Sequence, residues 1–461
     1  MTILIHFITN NRPMKTKFLS SIALLAVLLS AQESVFGQTY SLKEALDYGN
    51  KNHQNVKNAQ IDVLNADARI QEIKAIGLPQ VNGNLGWTDN INVPRFFVPA
   101  KTFNPNAAEG EVTAAKFGVQ YSSQVGVGLS QLLFDGSYTL GLKASQVYRD
   151  LATKNVTASK ITVAENISKA YYTVLVNEER IKLLDINIAR LDSLLRDTKI
   201  LNQQGFVEKL DVQRLEVQSN NIRTERQNIE RLQEVGLYLL KFQMGYPLKE
   251  VLTLSDKLAS IQLNQLTDIE AANDFNYDNR IEYSIFKTQE KLSELDVKNN
   301  KAAYLPRVLF TGNTAYSTGT DKVNIFANPW FNSTSIGFVV QVPIFDGFGR
   351  KYKTIQAQNN LRKLQGSINY LKESIDLQLA SSKIQLKNYL MSLQEQKKNM
   401  ELAAEVVRVT KTKYQAGVGS NLELINAESA LKESQTNYLT SLYNAVIAKV
   451  EVDKVTGKLG I

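Results

Sequence analysis

Gln124-Val125-Gly126-Val127-Gly128-Leu129-Ser130-Gln131-Leu132-Leu133-Phe134-Asp135-Gly136 holds two kinds of structure in thirteen residues. Val125, Val127 and Leu129 alternate with Gln124, Gly126, Gly128 and Ser130. That is the two-residue period of a strand with one apolar face. After Asp135 the pattern changes. From Gly136 to Gly205 there is no proline, and Gly141 is the one internal glycine. At a rise of ~1.5 Å per residue, a single helix over that span runs about 100 Å, against an average of about three turns in globular proteins. A two-faced strand thus feeds a rod.

The same transition occurs twice. Leu133-Phe134-Asp135-Gly136 returns as Ile344-Phe345-Asp346-Gly347, 211 residues on. Gly205-Phe206-Val207, followed by Leu210 and Asp211, returns as Gly417-Val418-Gly419, followed by Leu422 and Glu423, at a shift of 212. Gly245 and Gly457 keep that shift, and Leu78-Pro79 answers Leu305-Pro306 at 227, the difference falling in loops. A unit this long, present twice, is a duplication rather than a short-period solenoid. Each copy reads helix, strand, strand, long helix, turn, helix.

The four strands are expected near 80–90, 118–134, 308–318 and 334–346. Ile336, Phe338, Val340, Val342 and Ile344 oppose Ser335, Gly337 and Gln341. Val81, Leu85 and Trp87 oppose Asn82, Asn84 and Thr88, and Val308, Phe310 and Tyr316 oppose Asn313 and Ala315. About ten residues per strand suits a tilted transmembrane strand, with Trp87, Tyr316, Trp330, Phe331 and Phe345 near strand ends. One sheet of a soluble sandwich carries the same alternation. Four such strands beside very long helices, in an exported chain, favour a barrel.

Heptad-like stripes mark the rods as coiled coils: Ile181, Leu184, Ile188, Leu191 and Leu195; Leu215, Ile222 and Ile229; Ile368, Leu371, Ile375 and Leu379. The first helix opens on the capping-box pair Ser41 and Glu44 and is expected to run unbroken to Gly77, before Pro79.

Residues 1–37 read as an export signal: Lys15 and Lys17, an apolar core from Ile22 to Leu29, then Val35-Phe36-Gly37 before Gln38. Residues 1–13 precede a second candidate start at Met14. The charged residues of the signal carry a net +2, so the formal charge of +8 falls to +6 on its removal. The lysines are spread along helices rather than massed, and no nucleic-acid partner is implied. There is no cysteine, which excludes disulfides, thiolate metal sites and N-terminal lipidation. His6 leaves with the signal, and His53, in Asn52-His53-Gln54-Asn55, reads as an exposed helix residue. With no clustered nucleophile and base, no phosphate loop and no metal set, the sequence implies neither an enzyme nor a cofactor. No mature stretch offers about 18 consecutive apolar residues for a membrane helix.

These landmarks, in order and duplicated, resemble the outer-membrane efflux protein family of TolC-like channels over nearly all of 38–461. The resemblance rests on Ser41-Leu42-Lys43-Glu44-Ala45-Leu46, the two Leu-Pro pairs, the two Phe-Asp-Gly turns and the two glycine turns before Leu-Asp/Glu. It implies an α+β membrane protein: a trimeric twelve-stranded outer-membrane β-barrel, four strands per chain, continued by a periplasmic α-helical coiled-coil barrel. The expected parts are a first repeat at 38–246, a linker with small extra structure at 247–275 and a second repeat at 276–461. Loops at about 91–117 and 319–333 are expected to face outside.

The implied function is passive export across the outer membrane of a Gram-negative bacterium, in a tripartite efflux or type I secretion system. Its implied partners are two further copies, a periplasmic adaptor (membrane fusion protein), an inner-membrane transporter of RND or ABC type, and outer-membrane lipid. A periplasmic or surface coiled-coil structural protein is the alternative; it accounts for the rods and leaves the strand pairs unexplained.

By position in the family pattern, Gly205, Phe206, Asp211 and Arg214 belong to one periplasmic tip, and Tyr414, Gly417, Gly419, Glu423 and Asn426 to the other. Together they make the implied gate and adaptor-docking surface. Glu423 and Asn426, three apart, can share a helix face, although Glu423 reads equally as a solvated residue. Two positions depart from the pattern: Asn426 replaces a second acidic residue and Gly419 a basic one, which puts an inter-tip salt bridge in doubt. Asp135 and Asp346 are expected to cap the rods, with Gly136 and Gly347 easing the switch from strand to helix.

Overall fold

The computed structural model describes residues 38–258 and 275–459; the expected signal, and the linker from 259 to 274, lie outside the described residues. In chain order the elements are β1 (Gln38–Tyr40), α1 (Leu42–Asn52), α2 (Gln54–Ile76), β2 (Gln80–Asp89), β3 (Arg95–Pro99), β4 (Val112–Lys116), β5 (Tyr121–Asp135), α3 (Gly136–Gln203) and α4 (Lys209–Met244). They continue with β6 (Leu252–Leu254), α5 (Ile281–Ala302), β7 (Arg307–Thr320), β8 (Phe331–Gln341), α6 (Gly349–Gln415) and α7 (Asn421–Val455). No described helix is long and apolar enough to cross a membrane. The chain divides into two compact units, described in turn.

One unit contains, of the described residues, 50–166, 275–399 and 440–459, and holds a four-stranded antiparallel sheet in the order β2-β5-β7-β8. β5 and β7 pair at its centre. The register puts Leu85, Val125, Tyr316 and Asn332 in one row, and Val81, Leu129, Gly312 and Ile336 in another. Because facing residues in a ladder share a face, Val81, Leu85, Trp87, Val125, Val127, Leu129, Val308, Phe310, Phe338 and Val340 all lie on one side. The other side carries Asn82, Asn84, Gln124, Gly126, Gly128, Asn313, Ser335 and Gln341. Gly126 is there for space: a Cβ on it would come 2.8 Å from the Ala315 Cβ and 3.0 Å from the Thr314 carbonyl.

Three expectations shift here. β8 starts at Phe331 and ends at Gln341, short of the expected 346. Pro343 lacks an N–H and cannot extend the ladder. The 91–117 loop holds an unexpected hairpin of β3 on β4, in which Phe96 faces Ala115 and Val98 faces Thr113. Pro94 and Pro99 had masked its apolar run. Finally, the first helix breaks at His53, which is buried rather than exposed. Its Nδ1 accepts from the Asn55 N–H at 3.1 Å and starts α2. Burial pushes the imidazole pKa below its ordinary value, which favours the neutral ring that this cap requires.

The other unit contains, of the described residues, 38–49, 167–258 and 400–439. Its core is the predicted seam: buried Leu184, Leu191 and Leu194 of α3 pack with Leu215, Ile222 and Ile229 of α4 and Leu424 of α7, flanked by Ile181, Ile188 and Leu195. Elsewhere in it β1 pairs in parallel with β6, Gln38 facing Leu252. The Asp256 carboxylate joins this strand pair to two helices, accepting from the Leu42 N–H and the Tyr171 hydroxyl, each at 2.9 Å. The capping box at α1 is formed: the Ser41 N–H donates to Glu44 at 2.8 Å and the Glu44 N–H to Ser41 Oγ at 3.3 Å.

Candidate functional site: hairpin turns and strand–helix junctions

The turn between α3 and α4 closes on Gly205 at φ +78°, a left-handed backbone that only glycine adopts freely. The Gly205 N–H donates to the Asn202 carbonyl and the Phe206 N–H to the Leu201 carbonyl, which ends α3. Phe206 stands 75% exposed beside it. The α6–α7 turn repeats this at Gly417, φ +76°. Gly419 answers a different need: a Cβ there would sit 3.0 Å from the Tyr414 nitrogen and 3.1 Å from the Lys413 Cβ. Any side chain at 419 would therefore crowd the last turn of α6. Ser420 Oγ accepts from the Glu423 N–H at 3.2 Å and starts α7.

The two hairpins touch within this unit, and the expected residues divide. The Tyr414 hydroxyl lies 3.2 Å from Oγ1 of the buried Thr198. The Asp211 carboxylate faces Arg214 of its own helix at 3.5 Å. What reaches Asp211 from the second hairpin is the side-chain amide of Asn421, which donates to its carbonyl at 3.1 Å. Oδ1 of the buried Asn421 has no hydrogen-bond partner among the described residues. Arg214, Glu423 and Asn426 are exposed and form no link between the hairpins among the described residues.

The stronger bridge, absent from the sequence-based list, lies further along the helices. Glu428, 4% exposed, pairs with Arg190 at 2.8 Å. Arg190 also donates to Asn187 at 2.6 Å, and Asn187 donates to Gln435 at 2.8 Å. Burial pushes the Glu428 carboxyl up against the opposing pull of Arg190 and Lys411. Nearby, Glu225 accepts from Lys432 at 2.7 Å and Arg180 at 3.0 Å. There burial also pushes upward, but the two cations outweigh it and hold the carboxyl below its ordinary range. A signal existed for Glu428: it falls in phase with Leu424, Ala427 and Leu431 on the buried stripe of α7.

The two strand–helix junctions lie in the sheet-bearing unit and differ. At the first, Asp135 Oδ1 accepts from the Ser137 N–H at 2.8 Å, and α3 begins at once. Gly136 is needed for close packing: a Cβ would come 2.6 Å from Leu305 Cδ1 and 3.2 Å from the Ala302 carbonyl. At the second, Asp346 Oδ2 accepts from the Arg350 N–H at 3.0 Å and α6 starts only at Gly349. Gly347 takes φ +64° and Phe348 takes φ +67°.

Comparison with known proteins agrees with this architecture. Residues 288–458 match the family model described as outer membrane efflux protein. The toluene efflux pump outer membrane protein TtgC of Pseudomonas putida is 24% identical over 352 residues, 73% of this chain and 69% of TtgC. The alkaline protease secretion protein AprF of Pseudomonas aeruginosa is 24% identical over 346 residues, 71% of this chain and 68% of AprF. The crystal structure of the outer membrane protein VceC of Vibrio cholerae superposes with a TM-score of 0.68 at 13% identity, covering 90% of this chain and 96% of VceC. The fold is thus that of the TolC-like outer-membrane channels, and the second half of the chain, 288–458, carries the sequence pattern of the outer membrane efflux protein family.

Proposed function

We propose that the protein is the outer-membrane channel of a tripartite efflux or type I secretion system. In this role it is a passive conduit rather than an enzyme. The observation that carries this reading is the sheet. Its two faces differ in polarity, and its edges β2 and β8 have no partner strand among the described residues. Edges open to lipid leave backbone groups unpaired at several kcal/mol each. β2 and β8 run in opposite directions, so β8 of one chain can continue the antiparallel ladder with β2 of the next. Three chains then close twelve strands, an even number within the bacterial range. The apolar face meets lipid and the Asn82, Asn84, Gln124 and Asn313 face lines the lumen.

On this reading the repeats at 38–246 and 276–461 each supply two strands and a helical hairpin, joined by 247–275. The coiled-coil hairpins form the periplasmic extension. Their turns present Gly205, Phe206, Gly417 and Gly419 to a periplasmic adaptor that couples the channel to an inner-membrane pump of RND or ABC type. Asp211, Arg214, Tyr414, Glu423 and Asn426 form the gate, where three-fold symmetry turns Glu423 into a ring that favours cations. The test is reconstitution into planar bilayers. Discrete conductance steps, with weaker cation selectivity after Glu423→Ala, are expected. A detergent-extracted protein that stays monomeric and forms no channels would refute the proposal.

A further inference from the structure

The second strand–helix junction is built differently from the first, although the repeats share their Phe-Asp-Gly. Two residues, Gly347 and Phe348, stand between the capping Asp346 and α6, and both adopt left-handed backbone. For glycine this is free; for phenylalanine it is a genuine outlier, and such strain persists where function keeps it. The phenyl ring it presents is 57% exposed, and it packs edge-on against Phe345 with centroids 5.6 Å apart. Lys351 holds its ammonium 5.7 Å from the Phe348 ring and 5.9 Å from Tyr352, which is also exposed. The apolar row Ile336, Phe338 and Val340 continues through Val342 and Ile344 directly into this cluster, all of it exposed in the single chain.

Charge follows the same asymmetry. Between Asp346 and Glu373 lie Arg350, Lys351, Lys353, Arg362, Lys363 and Lys372 and not one carboxylate. Arg350 is held by Asp346 at 3.2 Å, but Lys351 and Lys353 form no ion pair among the described residues. The first junction is closed instead: Arg307 lies 3.7 Å from Asp135, and Lys143 and Arg149 are the only cations before Asp150.

We infer that Phe345, Phe348, Tyr352, Lys351 and Lys353 form an interfacial anchor that takes the phosphate headgroup of an anionic phospholipid where the barrel's apolar face ends. The inference rests on the barrel reading above. The aromatic rings sit at the level of the headgroups and acyl ester region, where amphipathic aromatics concentrate. Lys351 and Lys353 reach the phosphates along their aliphatic stems. The left-handed Phe348 holds its ring against Phe345, and both rings stay exposed. Each lysine near an anionic surface contributes about fivefold in lipid affinity, so the pair contributes about 25-fold.

The test uses the full protein reconstituted in nanodiscs of mixed phosphatidylglycerol and phosphatidylethanolamine. Native mass spectrometry of the extracted protein reads the lipids it retains, and planar-bilayer conductance reads channel formation separately. Phosphatidylglycerol should be enriched on the wild type. Lys351→Gln with Lys353→Gln should cut that enrichment by about 25-fold, and Lys143→Gln at the other junction should leave it unchanged. Phe348→Gly relieves the strained backbone, so it should preserve folding and conductance yet weaken lipid retention. In a Trp87→Phe, Trp330→Phe background, Phe348→Trp should be quenched by brominated phospholipid. If the channels conduct but the lysine variants retain as much phosphatidylglycerol as wild type, or the Phe348→Trp variant is not quenched, the anchor is refuted and the channel reading stands. If no channels form, both fall.

Discussion

Glu428 and Glu225 face the same pair of hairpins and answer burial in opposite ways. The Glu428 pKa is raised, so its contribution to stability is complete below the unfolded value, about 4.3, and is lost as pH rises through the folded one. The Glu225 pKa is lowered, so its contribution is present above about 4.3 and is lost as pH falls through the folded value. Glu225→Gln should therefore flatten the acid limb of a thermal-melt profile taken between pH 3 and 6; an unchanged limb would show that this cluster does not set it. Arg190→Ala leaves the buried Glu428 without its near cation and should cost about 3 kcal/mol in denaturant unfolding at pH 7. Glu428→Gln, which can still accept from Arg190, should cost clearly less; equal losses would argue against the pairing. Reading Glu428 from sequence required knowing that Leu424 and Leu431 are buried on both sides of it. The charge alone suggested solvent. His53 misled for the same reason: a polar neighbourhood in sequence is no guide to what the fold packs over it.

At the scale of elements, the strands were legible because their two-residue period and the register agree. The apolar positions assigned to one face of β2, β5, β7 and β8 fall there in the ladder, except Val342 and Ile344, which lie beyond its end. Val127→Asp or Val340→Asp places a charge toward lipid, at a cost on the order of 2 kcal/mol near mid-depth, and should reduce membrane-inserted protein in flotation assays. Gln124→Asp and Gln341→Asp, on the opposite face, should be tolerated. Similar losses at all four would reverse or void the face assignment. The strand limits were less legible, since alternation continued through Val342 and Ile344 while Pro343 ended the hydrogen bonding. At the hairpin turns, glycine spacing located Gly205 and Gly417. It could not tell that the second hairpin reaches Asp211 through its carbonyl, by way of Asn421. Asp211→Ala with Tyr414→Ala should raise closed-state conductance in planar bilayers, because Tyr414 loses Thr198 and Asp211 its hold on Arg214. Wild-type conductance in that variant would remove these residues from the gate.

For the whole molecule, the duplication was the most informative signal. It predicts two strand pairs and two helical hairpins, and the order β2, β5, α3, α4, then β7, β8, α6, α7 follows it. The differences between the copies were invisible at that level. Gly136 serves tight packing where Gly347 serves a left-handed turn, so one three-residue motif performs two mechanical tasks. The central claim is that β8 of one chain pairs with β2 of the next. The native chain has no cysteine, so Asn84→Cys on β2 and Ser335→Cys on β8 give the only thiols. A short bismaleimide applied to cells carrying this variant should yield covalent dimers and closed trimers on a denaturing gel, with neither single variant giving trimers. Only internally bridged or unlinked monomers, in protein that fractionates with the outer membrane, would contradict the trimeric barrel.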